Sequence, residues 1–240
     1  MITLSNKNLI IEAIQNKIHI SSIVISDSVN KKTIDDLLSL AHSNKIPISV
    51  QKKTHNQSLT SPIYATTDDS LYKDFNWLKN HMPAILAKPF FLILDHIQDP
   101  HNFGAIIRSA VVFGVTAIIY PKDRACPIND TVVKVSAGSI FHIPLIRVTN
   151  INQTIHSLKE MGCMIIGSDS HGTHSKISSI SANDSLALVI GSEGDGISSL
   201  TKKSCDFMIT IPQKHAFDSL NASVAAGILL YMLGHDRGLH

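Results

Sequence analysis

Short runs of consecutive hydrophobic residues recur through the second half of the chain. Phe90 to Asp95, Cys163 to Ser168 and Leu186 to Gly191 are three of them. A continuous run of this length is typical of a strand that is covered on both faces. Between the runs, hydrophobic positions recur at helical spacing. Because strands and helices alternate, the pattern predicts an α/β fold with a mostly parallel sheet and helices on both faces.

The same pattern sets the bounds of the predicted elements in this half. The predicted strands are 90–95, 117–120, 142–148, 163–168, 186–191 and 207–211. The predicted helices are 102–113, 128–139, 151–161, 198–204 and a slim final helix rich in small residues. Asn102 is predicted to cap the first of these helices, and Gly114 to end it. Asp218 and Ser219 are predicted to open the final helix.

The first 68 residues give a smaller α/β pattern. Helices are predicted over 8–16 and 33–44, and strands over 20–26, 46–50 and 62–66. Residues 69–88 have no clear period and are predicted to be a linker with one short helix, around 70–81. The chain is therefore predicted to have a small domain over 1–68, a linker over 69–88 and a larger domain over 89–240.

Composition limits the class of protein. The chain has 240 residues, 44% of them hydrophobic, and a mean hydropathy of +0.14, which indicates a folded protein. No apolar run approaches the roughly 18 residues of a membrane span, and the N-terminus lacks a signal-peptide core. The three cysteines are isolated, which favours neither a disulfide framework nor a zinc site. These features predict a cytoplasmic protein. A net charge of +2 is too small to indicate a nucleic-acid partner by itself.

Three polar segments follow predicted strands, at residues 95–108, 191–196 and 211–221. Ligands of parallel α/β sheets bind beyond the carboxyl ends of the strands. The first segment carries Arg108 near a helix N-terminus, a favourable place for anions, and Gly104 is expected to clear space beside this side chain. The second has three glycines in six residues, which allows close backbone approach to a ligand. The third joins a polar loop to the final helix.

Each segment also has an alternative interpretation without a ligand. Arg108 could be a surface residue of an amphipathic helix, the glycine segment a tight turn, and Ser219 and Asn221 caps of the final helix. A serine hydrolase is disfavoured, because neighbouring loop residues seldom form a catalytic triad. His171 and His174 have metal-ligand side chains, but without a helix to align them a plain loop is the better prediction.

Taken together, the three segments resemble the three motifs of the SpoU (TrmH-type) branch of the SPOUT RNA methyltransferases. The matching stretches are 99–110, 188–196 and 219–227, and the resemblance covers roughly 88–233. Residues 121–124 and 144–150 resemble the RlmB-type 23S rRNA guanosine 2'-O-methyltransferases in particular. The small domain is similar, more weakly, to their L30e-like substrate-binding domain.

The resemblance implies a fold, a cofactor and a set of site residues. It implies a SPOUT fold with a C-terminal trefoil knot, through which the slim last helix would be threaded, and a homodimer. It implies S-adenosylmethionine as the cofactor, with no metal. By motif position, the implied cofactor-binding residues are Gly191, Ile211 and Leu220. The implied catalytic residues are Asn102, Arg108, Glu193, Ser219 and Asn221.

The implied reaction is methylation of a ribose 2'-hydroxyl in structured RNA, most simply a guanosine of 23S rRNA. A tRNA substrate is the first alternative, and a non-catalytic RNA-binding or assembly protein on the same fold is the second. Because an arginine guanidinium stays charged in proteins, Arg108 is better suited to clamping a phosphate than to acting as the general base. Gln213 to His215 depart from the family pattern, which usually has Met and then Gly there.

Overall fold

The structure, a computed structural model, describes residues 2–52, 61–68, 71–85, 88–169, 184–213 and 220–234. The strands are β1 (Ile2–Leu4), β2 (Ile20–Ser26), β3 (Ile48–Gln51), β4 (Ile63–Thr67), β5 (Tyr72–Lys73), β6 (Phe90–Asp95), β7 (Ala117–Pro121), β8 (Leu145–Val148), β9 (Cys163–Ser168), β10 (Ser185–Gly191) and β11 (Phe207–Ile209). The helices are α1 (Lys7–Gln15), α2 (Asp35–Ser43), α3 (Phe75–Ile85), α4 (Pro100–Val112), α5 (Asp130–Val135), α6 (Ile151–Glu160), α7 (Ser199–Ser204) and α8 (Ala222–Gly234). None of the helices in these ranges is long and apolar enough to cross a membrane.

A seven-stranded sheet holds the larger part of the molecule together. Its order is β11-β9-β10-β6-β7-β8-β5, and every pairing in it is parallel. The α/β fold with a mostly parallel sheet, predicted from the apolar runs, is confirmed. Along β6, Phe90, Leu92 and Leu94 pack into one buried cluster, while Phe91 and Ile93 pack into the cluster on the opposite face. Both faces of the strand are buried, which is why its sequence shows no polar alternation.

A second, four-stranded sheet has the order β1-β4-β2-β3. Its contact with the larger sheet region includes Ser5, whose Oγ donates a hydrogen bond to Asp130 Oδ1 (2.7 Å). His142 Nε2 lies 2.8 Å from Glu12 Oε1 across the same contact. The sequence pattern missed β1 and β5, because strands of three and two residues are too short to show a period. The segment predicted as a linker thus includes β5, which is an edge strand of the larger sheet.

Several predicted element ends were wrong. Asp99, not Asn102, caps α4, and its side chain accepts a hydrogen bond from the backbone N–H of His101 (2.8 Å). Pro100 takes the first helical position, where a missing N–H costs nothing. The helix predicted over 128–139 ends at Val135, because Ala137 and Gly138 have φ angles of +50° and +86°. Gly114 has a φ of +69° just beyond α4, as predicted for a helix-ending glycine.

Gly104 has a packing role that differs from the predicted one. Its position on α4 is buried against α5, and a Cβ added there would lie 2.7 Å from Val135 Cβ and 3.0 Å from the Val132 carbonyl oxygen. Arg108, by contrast, is exposed. The glycine therefore lets two helices approach each other, and it does not clear space for the Arg108 side chain.

We expect Gly104→Ala to destabilise the protein by about 1 to 3 kcal/mol, because α4 and α5 must separate to admit the methyl group. Thermal unfolding would measure the change. Gly227→Ala in α8 is the matched control, since its added Cβ would meet only Ser109 Oγ, at 3.7 Å. Replacing a helical glycine in open space should leave stability unchanged or raise it by up to about 1 kcal/mol. Equal melting temperatures for the two variants would contradict the packing role.

Candidate active site

The candidate site lies where β6 and β10 meet at the centre of the seven-stranded sheet. The two strands are parallel neighbours, paired from Leu186↔Phe90 to Gly191↔Asp95. From β6 the chain continues towards β8 on one side, and β9 and β11 lie on the other side of β10. The order in which the chain adds strands therefore reverses between β6 and β10. Such a reversal opens a crevice at the carboxyl ends of the central strands, which is where open α/β sheets bind ligands.

Three polar side chains from the three predicted segments meet in this crevice. Asn102 Nδ2 donates a hydrogen bond to Glu193 Oε1 (2.9 Å), and Asn221 Nδ2 donates to Asn102 Oδ1 (2.9 Å). Asn221 Nδ2 also donates to Glu193 Oε1, which accepts a further bond from the backbone N–H of Ala222 (3.3 Å). The Asn102–Glu193–Asn221 network thus links residues that are 91 and 119 positions from Asn102 along the chain.

Local backbone structure fixes each member of this network. Asn102 lies in the first turn of α4. Asn221 caps α8, with its Oδ1 accepting hydrogen bonds from the backbone N–H groups of Ser223 (2.9 Å) and Val224 (3.3 Å). This finding corrects the predicted start of the last helix: Asp218 and Ser219, which were expected to open it, lie outside the described residues.

Glu193 projects from a tight turn that directly follows β10. Ser192 and Gly196 exchange two backbone hydrogen bonds, of 3.2 and 3.0 Å. Gly194 and Gly196 have φ angles of +89° and +66°, in the region that favours glycine. A Cβ on Gly191 would lie 2.0 Å from the Gly196 carbonyl carbon, so no larger residue fits where the turn folds back on the strand.

A cavity of about 230 Å³, here called the inner cavity, opens on the β9–β11 side of this turn. The predicted cofactor residues Gly191, Ile211 and Leu220 all line it. Its polar groups include Lys202 and Asp169, which form an ion pair of 3.0 Å. Apolar walls with a few charged groups suit a small amphipathic ligand.

A second depression of about 450 Å³, the central cleft, adjoins the inner cavity. It is lined by Asn102 and Glu193, and it shares Ser192, Asp195, Gly196 and Ala222 with the inner cavity. A third depression of about 250 Å³, the outer cleft, lies beyond the ends of β7 and β8 and includes Pro121 and Asn150. The three form a series along the carboxyl edge of the sheet. The inner cavity and the central cleft are therefore direct neighbours in this series.

Of the predicted catalytic residues that the structure describes, Arg108 alone is not in the network. Arg108 is exposed on α4, lines none of the three depressions and has no hydrogen-bond or ion-pair partner among the described residues. Arg108 lies six positions after Asn102, which at about 100° per residue puts the two side chains a third of a turn apart. Ser219 lies outside the described residues. Glu193 therefore orients Asn102 and not Arg108.

Thiol chemistry has little support at this site. Burial raises the pKa of the Cys126 thiol to about 11, and that of the Cys205 thiol to about 11. Both are therefore protonated and unreactive at neutral pH. In the part of the chain that the structure describes, no group of three His, Cys, Asp or Glu side chains could hold a metal ion. His171 and His174 lie outside that part.

Sequence reasoning missed Asp95 and His96 as site residues. Asp95 ends β6 with a side chain that is 1% exposed, although a carboxylate is seldom buried without a partner. His96 has a φ of +65° and lines both the central and the outer cleft. A charged residue closing an apolar strand was a signal in the sequence. The positive φ of His96 had no signal in the sequence.

Known proteins resemble this chain over nearly its whole length. The model of a family described as the SpoU rRNA Methylase family matches residues 89–231. A Staphylococcus saprophyticus protein assigned to the TrmH family of tRNA/rRNA methyltransferases is 39% identical, over 98% of this chain and 96% of its own length. YacO of Bacillus subtilis, assigned to the same family, is 37% identical, over 96% of this chain and 94% of its own.

Solved structures share the fold at lower identity. The SpoU methyltransferase AviRb from Streptomyces viridochromogenes, in complex with the cofactor AdoMet, has a TM-score of 0.83 and 21% identity. That match covers 98% of this chain and 90% of the AviRb chain. An AdoMet-bound rRNA methyltransferase from Sinorhizobium meliloti gives a TM-score of 0.78 at 20% identity, over 97% of this chain and 86% of the other. The chain therefore belongs to the SpoU rRNA methylase family, a family of RNA methyltransferases.

Proposed function

We propose that this enzyme methylates the 2'-hydroxyl of a ribose in structured RNA, at a guanosine of 23S rRNA. The Asn102–Glu193–Asn221 network, at the junction of the inner cavity and the central cleft, is the observation that carries this proposal. A ribose hydroxyl is a weak nucleophile that must be held in line with the methyl group it attacks. Amide and carboxylate groups that fix one another are suited to that task.

The inner cavity has the chemistry that S-adenosylmethionine requires. Ile209, Ile211 and Leu220 supply an apolar wall for the flat adenine ring, and Asp169 and Lys202 offer charges for the amino-acid end. The close backbone approach at Gly191 leaves peptide groups of the turn available to bind the ligand. The cofactor supplies an electrophilic methyl group bonded to a sulfonium sulfur. No metal is needed for that reaction.

The residues of the central cleft would orient the ribose and stabilise the charge that develops on its hydroxyl oxygen. As the hydroxyl oxygen bonds to the methyl carbon, the carbon–sulfur bond breaks and the hydroxyl proton leaves to a base. Asn102 and Asn221 can hold the ribose oxygen because Glu193 fixes their amide groups. Ser219, by its motif position, would bond the same hydroxyl. Arg108 would clamp a neighbouring phosphate as a bidentate donor.

A homodimer would bring Arg108 close to an active site. Val112, Val224 and Tyr231 are 65%, 48% and 54% exposed, on helices α4 and α8 that pack against each other. Exposed large hydrophobic side chains on neighbouring helices favour an interface. Val112 is four residues beyond Arg108 and lies on the same side of α4. We propose that a second copy covers this face, and that the last helix is threaded through a trefoil knot.

The small sheet over residues 2–67 favours rRNA over tRNA as the substrate. We propose that 1–68 form an L30e-like RNA-binding domain, followed by a linker over 69–88 and the catalytic domain over 89–240. A tRNA guanosine 2'-O-methyltransferase is the alternative within the class. A non-catalytic assembly protein is disfavoured, because a protein that only binds RNA has no need for the Asn102–Glu193–Asn221 network.

Incubation of the protein with labelled S-adenosylmethionine tests the function. We expect label to enter 23S rRNA transcribed without modifications, and nuclease mapping to place it on a ribose 2'-oxygen. Label in a tRNA transcript pool alone would select the alternative substrate. Cofactor binding without methyl transfer to either RNA would contradict the proposed methylation of RNA.

Glu193→Ala should lower kcat about 10- to 100-fold, since hydrogen bonds to a charged group contribute about 1.5 to 3 kcal/mol each. Glu193→Gln retains a carbonyl acceptor without the charge, so its loss should be intermediate. Single-turnover methylation of the RNA would measure both. Glu160→Ala removes an exposed carboxylate on α6, far along the chain from the network, and is the control that should retain full activity. A Glu193→Ala enzyme as fast as this control would show that the network does not serve the reaction.

Arg108→Ala should abolish methyl transfer while leaving the affinity for S-adenosylmethionine nearly normal, since Arg108 does not line the inner cavity. Isothermal titration with the cofactor and the RNA assay would separate the two effects. Lys79→Ala removes another exposed cation, on α3, and should change neither. A large loss of cofactor affinity in Arg108→Ala would mean that the assigned role of Arg108 is wrong.

A further inference from the structure

The outer cleft has no part in the proposed reaction, although it is continuous with the central cleft. The two depressions share His96, Arg124 and Ser198. The inner cavity and the central cleft account for the cofactor and for the reacting ribose. A polar depression immediately beyond the reacting ribose is therefore available for another part of the same RNA strand.

His96 and Arg124 form the ridge between the two clefts. Both are non-glycine residues with positive φ angles, +65° and +53°, which is an uncommon backbone state for such side chains. Gln98 Nε2 lies 3.5 Å from the Arg124 carbonyl oxygen, at the limit of a hydrogen bond between the two loops. The guanidinium group of Arg124 is exposed at this ridge. A planar cation there is suited to an RNA phosphate.

The floor of the outer cleft contains a buried carboxylate that is only half satisfied. Asp95 is 1% exposed, and its Oδ2 accepts a hydrogen bond from the backbone N–H of Ser198 (2.9 Å). Its Oδ1 lies 2.5 Å from His96 Nδ1, yet no described residue donates a hydrogen bond of acceptable angle to it. A buried acceptor without a donor is costly to retain. The contact holds the His96 imidazole at the ridge.

The opposite wall of the outer cleft is the start of α6. Asn150 caps this ten-residue helix by accepting a hydrogen bond from the backbone N–H of Gln153 (3.1 Å). Asn150, Asn152 and Thr149 line the cleft. Side-chain amides and a hydroxyl present both donors and acceptors, as the edge of a nucleobase does.

We propose that the outer cleft is a subsite for the nucleotide next to the methylated one, with the phosphate between them bound at His96 and Arg124. The subsite rests on the proposed function, because it presupposes that the central cleft holds the reacting ribose. The RNA strand then crosses the carboxyl ends of β6, β7 and β8, and its second base lies against Asn150 and Asn152. His96 and Arg124 are positioning residues for RNA in this arrangement.

Arg124→Gly and His96→Gly test the subsite without backbone strain, because glycine readily adopts both positive φ angles. Filter binding of transcribed 23S rRNA, and of a tRNA transcript pool, is measured over a series of KCl concentrations. Arg124→Gly should reduce the slope of log affinity against log salt by about 0.7 to 0.9, the loss of one phosphate contact. Arg124→Lys should restore the slope. His96→Gly and Arg124→Gly should each raise the KM for RNA about 5- to 20-fold, with unchanged affinity for S-adenosylmethionine.

Ala137→Gly is the matched control, since Ala137 has a φ of +50° but carries no charge and lines none of the three depressions. It should bind and methylate RNA as the wild type does. Salt slopes and KM values at wild-type level in both ridge variants would overturn the subsite. A wild-type protein that methylates neither RNA would overturn the proposed function instead, and the salt slopes of filter binding would then decide the subsite alone.

Discussion

The geometry of the site depends on the acceptance of three hydrogen bonds by one carboxylate oxygen of Glu193. The donors are Asn102, Asn221 and the backbone N–H of Ala222, from the starts of two different helices. Hydrogen bonds to an ionised acceptor are about twice as strong as neutral ones, so the carboxylate draws three chain segments together. The tight turn on β10 that projects Glu193 requires glycine at position 191, because a Cβ there would overlap the Gly196 backbone.

The parallel sheet converts this local arrangement into a linear path for ligands. All seven strands run in one direction, so the loops that follow them lie along one edge. The inner cavity, central cleft and outer cleft follow that edge from the β9–β11 side to β8, and neighbours share lining residues. Cofactor, reacting ribose and adjacent nucleotide can then occupy consecutive positions without any movement of the sheet.

Regular elements were predictable wherever the hydrophobic pattern was long. β2, β6 and β9 have the predicted bounds, because each is a run of six or seven residues, long enough to show a pattern. The pattern was weaker at element ends. Asn102 is a good capping residue by type, but Asp99 followed by Pro100 takes that role, and this change leaves the Asn102 amide available for Glu193. The spacing linked Gly104 to Arg108, whereas the close packing of α4 against α5 is the reason for a glycine at this position.

The sequence by itself determined the fold class, which depends on periodicity, and the family resemblance, which depends on short motifs. That resemblance implied Gly191, Ile211 and Leu220 as cofactor-binding residues. Only the tertiary structure decided which motif residues touch. It brings Asn102, Glu193 and Asn221 within hydrogen-bond distance and places Arg108 on another side of α4. It also decided that Asp95 is buried with His96 above it, at the meeting point of two clefts. The physical reason is that contacts between loops depend on the order of the strands and on the rotation of the helices. Residues that are far apart in the sequence determine both.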